Sequence, residues 1–182
     1  QATADGWREI YRGDDAVQII EDLEEDEKQE LLEAVPEETR AELVEGLGYP
    51  EHSAGRLMNT RFAAVPEFWT VGDVIDYLRA EEDKDELPDD FYEIIVVDPR
   101  YHPIGAVKTS RVMQSQRKKP VRDLMKAEIQ SIPTLMDQEE AALMFRRYGL
   151  VEAPVVNSTG RMVGVLTVDD MVHVIAEEQE ED

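Results

Sequence analysis

Carboxylates gather near the end of the chain in a pattern that suits cation binding. Glu177, Glu178 and Glu181 follow Asp170 by seven, eight and eleven residues, so on a helix the four lie along one broad stripe. Asp182 extends this stripe. Carboxylate oxygens are the ligands that hard divalent cations such as Mg²⁺ prefer, and Mg²⁺ keeps several of its waters when it binds. The stripe therefore predicts a surface that attracts divalent cations.

A second acidic group lies further upstream, where Asp137, Glu139 and Glu140 stand at the predicted start of a helix. Helix N-termini favour negative charge because the helix dipole is positive there. Two interpretations stay open for these three residues. They form part of a cation site, or they cap the helix.

The whole chain is strongly acidic, with 42 acidic and 19 basic residues and a formal net charge of −23. This charge opposes binding to nucleic acid and favours cations as partners. Solubility or adaptation to high salt would explain the same charge. One basic cluster interrupts it, and we interpret the cluster as an exposed linker that pairs with acidic neighbours or an opposite subunit: Arg111, Arg117, Lys118, Lys119, Arg122 and Lys126.

The sequence gives little support for a catalytic role. His52, His102 and His173 are scattered, so no paired-histidine metal motif appears, and the chain has no cysteine. It lacks a Gly-x-Ser-x-Gly elbow, a P-loop and a dinucleotide fingerprint. We therefore expect a protein that is not an enzyme. We also expect a piece of a longer chain, because it begins with Gln1 and its last residues continue a helix.

The elements that position these residues follow two repeats. The first has a twelve-residue period, in which apolar sets begin at Ile19, Leu31 and Leu43, each preceded by an acidic residue. Each set gives a short helix one apolar face, and such helices must bury that face against one another. The pattern predicts a small stack of helices, with Asp14 and Asp26 as helix caps.

The second repeat covers the rest of the chain. Leu57-Met58 matches Leu124-Met125 at an offset of 67, and Val96-Val97 matches Val155-Val156 at an offset of 59. The offset changes because the first copy holds eight extra residues around Ala80 to Asp90, which we expect to form a surface loop. Each copy predicts a strand that ends in proline, a helix, two strands joined by a turn, and a further helix.

These β-α-β-β-α units resemble a CBS domain pair, on the evidence of the Leu-Met words and the Val163-Gly164-Val165-Leu166 strand. The join from Tyr49 to Met58, placed after acidic helical repeats, resembles the MgtE family of magnesium transporters. The resemblance implies an α-helical superhelix followed by a tandem CBS pair. The implied domains are a helical N domain at 1–53, a first CBS repeat at 54–120, and a second at 121–182 with the start of a connecting helix.

The MgtE resemblance also implies a function. Members carry a Mg²⁺-sensing regulatory region on the cytoplasmic side of the cell membrane, which dimerises through its CBS repeats and is joined to a transmembrane pore domain of the same chain. Asp14 and Asp15 of the helical domain are further candidates for this sensor. The implied Mg²⁺ ligands are Asp137, Glu139, Asp170, Glu178, Glu181 and Asp182.

A nucleotide-sensing CBS module is the alternative. CBS pairs that bind ATP use a Thr or Ser and an Asp three residues later, and Thr167 and Asp170 match that spacing in the second copy. Lys108 and Arg111 take these places in the first copy, so one of the two clefts lacks the acid that would hold ribose. Stabilisation by adenine nucleotide without Mg²⁺ would distinguish this alternative.

Overall fold

The computed structural model describes residues 23–36, 48–81, 87–88 and 90–181. Helix α1 (Glu25–Ala34) is the middle member of the twelve-residue repeat, and Val35, the C-cap residue that follows it, is buried. The prediction that Asp26 caps this helix is wrong. Glu24 occupies the N-cap and Asp26 lies in the first turn, where its charge still complements the helix dipole. The apolar sets at Ile19 and Leu43 and the predicted cap Asp14 lie outside the described residues.

The first long repeat forms the predicted unit. A short helix α2 (Ala54–Leu57) precedes strand β1 (Ala64–Pro66), helix α3 (Val71–Glu81), strands β2 (Glu93–Val97) and β3 (Pro103–Lys108), and helix α4 (Thr109–Gln114). Strand β2 pairs in parallel with β1 and antiparallel with β3. Strand β2 has an almost continuous apolar sequence because both of its faces are covered.

The second repeat has the same topology. A 3₁₀ turn (Val121–Asp123) leads into strand β4 (Ile132–Pro133), helix α5 (Gln138–Tyr148), strands β5 (Glu152–Val156) and β6 (Met162–Thr167), and helix α6 (Val168–Glu181). Strand β5 lies between β4 and β6, and the pairing shifts register at its last residue, as it does in β2. The predicted pair of β-α-β-β-α units is confirmed.

The opening segment of each repeat, residues 54–59 in the first and 121–126 in the second, pairs with the other repeat. Asn59 exchanges two backbone hydrogen bonds of 2.9 Å with Val165 in β6, and Lys126 exchanges bonds of 2.8 and 3.1 Å with Ala106 in β3. Beside each bridge a methionine packs against a glycine. An added Cβ would lie 2.5 Å from Sδ of Met58 at Gly164 and 2.6 Å from Sδ of Met125 at Gly105. The two repeats therefore exchange their opening segments.

Three apolar clusters follow from this exchange. The core of the second repeat contains Ala54 and Met58 from the first opening segment, and the core of the first repeat contains Val121 and Leu124 from the second. The third cluster lies between the two sheets and is built from Ile95, Val97, Ala106, Met162 and Val165. Neither repeat has a core made entirely of its own residues.

Candidate functional site

Helices α5 and α6, which carry the predicted metal ligands, pack together in the core of the second repeat. Asp137 is the N-cap of α5, and its Oδ2 accepts a hydrogen bond of 3.0 Å from the amide of Glu139. Both residues are exposed. Backbone contacts join the start of α5 to the segment just before α2, since the Gln138 amide donates to the carbonyl oxygen of His52 at 2.8 Å. The capping interpretation of Asp137 is therefore confirmed.

Asp170 also has a capping role, which sequence analysis missed. Its Oδ2 accepts from the amide of Thr167 at 3.1 Å and from the Thr167 hydroxyl at 3.0 Å, while the Asp170 amide donates to Thr167 Oγ1. This reciprocal arrangement is a capping box at the start of α6. Thr70 and Asp73 make the same pair of backbone bonds at the start of α3. The Thr-x-x-Asp spacing was the available signal.

The remaining predicted ligands are described less fully. Glu178 and Glu181 belong to α6, but their side chains lie outside the described residues, as do Asp182, Asp14 and Asp15. In the described part of the chain, no three His, Asp or Glu side chains converge tightly enough to hold a metal ion. The six-residue Mg²⁺ ligand set therefore stays a prediction. Within the same ranges, no helix has the length and hydropathy needed to cross a bilayer.

The capping box gives a direct prediction for Asp170. We expect Asp170→Ala to lower the free energy of unfolding by about 1 kcal/mol in the absence of Mg²⁺, because the backbone amide of Thr167, the N-cap residue of α6, loses its acceptor. Asp73→Ala should have a similar effect at α3. Urea denaturation of both variants checks this. A loss at Asp73 but none at Asp170 would contradict the structural role of Asp170.

A cleft between the repeats lies beside Thr167. The end of the inserted loop enters it, so this part of the insertion lies against the core, while the loop's other residues, 82–86 and 89, lie outside the described ranges. Three carboxylates line the cleft and two phenylalanines form part of its wall. Its lining residues are Asn59, Phe62, Ala63, Pro88, Asp90, Phe91, Glu93, Ile95, Glu152, Val165 and Thr167.

Two of these carboxylates occupy equivalent places in the two repeats, at the first residues of β2 and β5. Burial raises the pKa of Glu152, the backbone N–H groups of Tyr92 and Glu93 oppose that rise, and the charge of Glu93 adds to it. Burial also raises the pKa of Glu93, while Lys108 and Lys126 partly offset the effect. Sequence reasoning missed this pair. A glutamate at the same position of two apolar strands was the signal.

The nucleotide interpretation depends on the ends of β3 and β6. Thr167 and Asp170 are partly buried and bonded to each other, so an incoming ribose would compete with the helix cap. Lys108 is the N-cap residue of α4 and, like Arg111, is exposed. The two ends therefore differ in charge, with acids near Thr167 and bases at Lys108.

Comparison with known proteins shows which proteins share this architecture. The model of the MgtE intracellular N domain matches residues 9–52, and the CBS domain model matches residues 121–177. The chain is 32% identical over 169 residues to the magnesium transporter MgtE of Thermus thermophilus, covering 92% of this chain and 37% of that protein. It is 31% identical over 136 residues to MgtE of Bacillus subtilis, covering 75% of this chain and 30% of that one. The chain thus spans about a third of the length of these curated relatives.

Solved structures give the same result as the sequence comparisons. A crystal structure of the soluble part of a magnesium transporter superposes with a TM-score of 0.83 at 27% identity, covering 96% of this chain and 67% of that one. The cytosolic domain of the Mg²⁺ channel MgtE in complex with ATP gives a TM-score of 0.76 at 30% identity, covering 94% and 66%. Because the two family models together match more than half of the sequence, and relatives and solved structures align across most of it, the chain belongs to the MgtE family.

Proposed function

We propose that this chain is a Mg²⁺-sensing regulatory region of a magnesium transporter, on the cytoplasmic side of the cell membrane. The observation that carries the proposal is its likeness, over nearly its whole length, to the soluble part of a magnesium transporter. The strong acidity of the chain is consistent with a cationic ligand. In the full-length protein, this region acts on a transmembrane pore domain of the same chain.

The mechanism is electrostatic. Facing carboxylates repel, so without cations the helical domain and the CBS pair separate. Mg²⁺ removes the repulsion and stabilises the closed arrangement by RT ln(1 + [Mg²⁺]/Kd) for each site. Closure holds the pore shut, and low Mg²⁺ releases it. The proposed ligands are Asp137, Glu139, Asp170, Glu178, Glu181 and Asp182.

The residues present fit this role chemically. Mg²⁺ binds oxygen ligands and retains waters, so it needs no compact protein cage. The capping bonds engage Oδ2 of Asp137 and of Asp170, and a carboxylate has room for several partners on its two oxygens. Capping also fixes the position of both carboxylates on the folded second repeat. Each can therefore cap a helix and face a cation.

A homodimer through the CBS repeats is part of the proposal. Met113 in α4 and Val172 in α6 are equivalent residues, and their relative exposures are 70% and 57%. Phe68 and Leu135 form a second equivalent pair, at 74% and 69%. Contiguous exposed apolar patches mark protein interfaces, and the proposal is that these two equivalent pairs belong to a surface on which a second copy of the chain packs.

A Mg²⁺ titration at constant ionic strength tests the proposal. We expect the melting temperature to rise and the radius of gyration from small-angle scattering to fall, with a gain of about 1.4 kcal/mol per site at a Mg²⁺ concentration of ten times Kd. The same scattering curves give the mass of the particle and therefore its oligomeric state. Constant ionic strength separates specific binding from general screening.

Matched variants make the titration specific. Asp137→Asn and Asp170→Asn remove a charge but keep an oxygen that can cap the helix, so a weakened Mg²⁺ response would be due to lost ligands. Asp73→Asn makes the same change at the capping box of α3 and should leave the response intact. An equal loss in all three variants, or no response in the parent chain, would overturn the sensor proposal.

Adenine-nucleotide sensing is the second candidate function. A relative of the same fold has been solved in complex with ATP, which favours testing this ligand. Thr167 and Asp170 are the proposed contacts in the second repeat. ATP without Mg²⁺ forms the parallel arm of the titration. Stabilisation by ATP alone would make the chain a nucleotide-sensing CBS module.

A further inference from the structure

Glu152 is a buried titratable residue at the contact between the repeats. Its relative exposure is 7%, and its Oε1 accepts a hydrogen bond of 2.6 Å from the backbone amide of Tyr92, sixty residues earlier in the chain. The bond therefore ties the first residue of β5 to the segment that leads into β2. A buried carboxyl is costly to ionise, so this tie depends on the charge state of Glu152.

Tyr92 lies where the inserted loop rejoins the fold. Pro88, Asp90 and Phe91, just before it, line the cleft. The carbonyl oxygen of Tyr92 accepts from the amide and the hydroxyl of Thr109, each at 3.0 Å, and the equivalent carbonyl of Val151 accepts from Val168 at 2.8 Å. The carbonyl contact is thus common to both repeats. The Tyr92 amide makes the additional bond that crosses to the other repeat.

The charges around Glu152 come from several elements. Glu93 in β2 and Asp90 in the loop line the same cleft and are acidic. Lys108 at the end of β3 and Lys126 in the second opening segment act on Glu93. Arg61 donates to the carbonyl of Leu87 at the loop end. The charge of Glu93 thus opposes ionisation of Glu152, while the two lysines favour ionised Glu93.

We propose that Glu152 is a proton-operated latch that holds the loop end 90–92 against the second repeat. When Glu152 is neutral, the latch is closed and the cleft is covered. When it ionises, desolvation and repulsion from Glu93 outweigh the bond from the Tyr92 amide, and the segment opens toward water. The latch makes the CBS pair responsive to pH, and it does not depend on bound Mg²⁺.

The sign of the pH dependence follows from linkage. The pKa of Glu152 is raised in the closed state, so that state binds a proton more tightly than the open or unfolded state does. Its stability is greatest below the unfolded pKa and is lost as pH rises through the closed-state pKa. The opening equilibrium should therefore increase by up to about tenfold per pH unit between the open-state pKa and the closed-state pKa, and should level off above the closed-state pKa.

Amide hydrogen exchange of Tyr92, followed by NMR without Mg²⁺ and corrected for intrinsic exchange, tests the latch. We expect the protection factor of Tyr92 to fall as pH rises from 5 to 8, while that of Val168 stays constant. Glu152→Gln keeps an oxygen for the Tyr92 amide and cannot ionise, so its Tyr92 protection should be independent of pH. The same variant should melt at a higher temperature than the parent at pH 8 and at the same temperature at pH 4.

Two further variants keep the test decisive. Glu93→Gln removes the neighbouring charge, so the fall in Tyr92 protection should move to lower pH. Asp98→Asn changes a partly buried carboxyl whose pKa is lowered by the amide of His102, in a turn for which the second repeat uses Asn157, and it should leave the Tyr92 profile unchanged. Constant Tyr92 protection in the parent, or the same fall in Glu152→Gln, would overturn the proposal.

Discussion

Replacing Gly164 with valine is expected to lower the free energy of unfolding by about 2 to 3 kcal/mol, as overpacking of a full core does. A Cβ at this position would lie 2.5 Å from Met58 Sδ and 3.0 Å from the carbonyl oxygen of Asn59. The thioether can move, but the backbone oxygen belongs to the bridge with Val165. Valine therefore strains the contact through which the first opening segment reaches the second repeat.

A double-mutant cycle with Met58→Ala identifies the cause. Met58→Ala alone should cost about 2 to 5 kcal/mol because it leaves a cavity in the second core. Combined with Gly164→Val, the total cost should be clearly less than the sum, since valine fills part of that cavity. Gly48→Ala, whose added Cβ meets nothing within 4 Å, is the control. Strict additivity in urea denaturation would show that Met58 does not limit the space above Gly164.

Separating the two repeats is expected to abolish cooperative folding. The fragment 121–182 lacks Ala54 and Met58, which complete its apolar core, and it lacks Asn59, which pairs with β6. The fragment 54–120 lacks Val121 and Leu124 in the same way. Each half would expose the apolar face that the other half's first turn covers, so neither gains enough burial to offset its chain entropy.

Circular dichroism and NMR of the separate and mixed fragments check this. Neither half should show a sigmoidal urea transition, and an equimolar mixture should recover dispersed amide signals. Residues 48–182 in one chain are the positive control, because they contain both opening segments. A cooperative transition of 121–182 alone would mean that the exchanged contacts contribute little stability.

Much of the fold could be predicted from the sequence. The repeated Leu-Met and Val-Val dipeptides locate both repeats, and the prolines that end β1 and β4 mark their first strands. The destination of the opening segments could not be predicted in this way. Gly105 and Gly164 are equivalent, so local sequence does not determine which of them Met58 will cover. That choice is made by packing across the whole pair.

The candidate site was predicted less completely. The capping role of Asp137 follows from its position before an apolar helix pattern, and the structure confirms it. Glu152 escaped prediction because hydropathy places a glutamate at the surface, whereas here Tyr92 and the inserted loop cover it. The glutamate repeated in β2 and β5 marks the position, but its contact with Tyr92, sixty residues away, leaves no local signal. That contact becomes visible once the two sheets are assembled.

The exchange of opening segments also bears on how the chain folds as it is synthesised. Asn59 leaves the ribosome 106 residues before its partner Val165. The second core cannot close around Met58 until β6 has emerged, and contacts that are distant in sequence form slowly. The first opening segment must therefore wait, with its apolar side chains uncovered, until β6 has been synthesised. A nascent chain stalled before β6 would present that segment to chaperones.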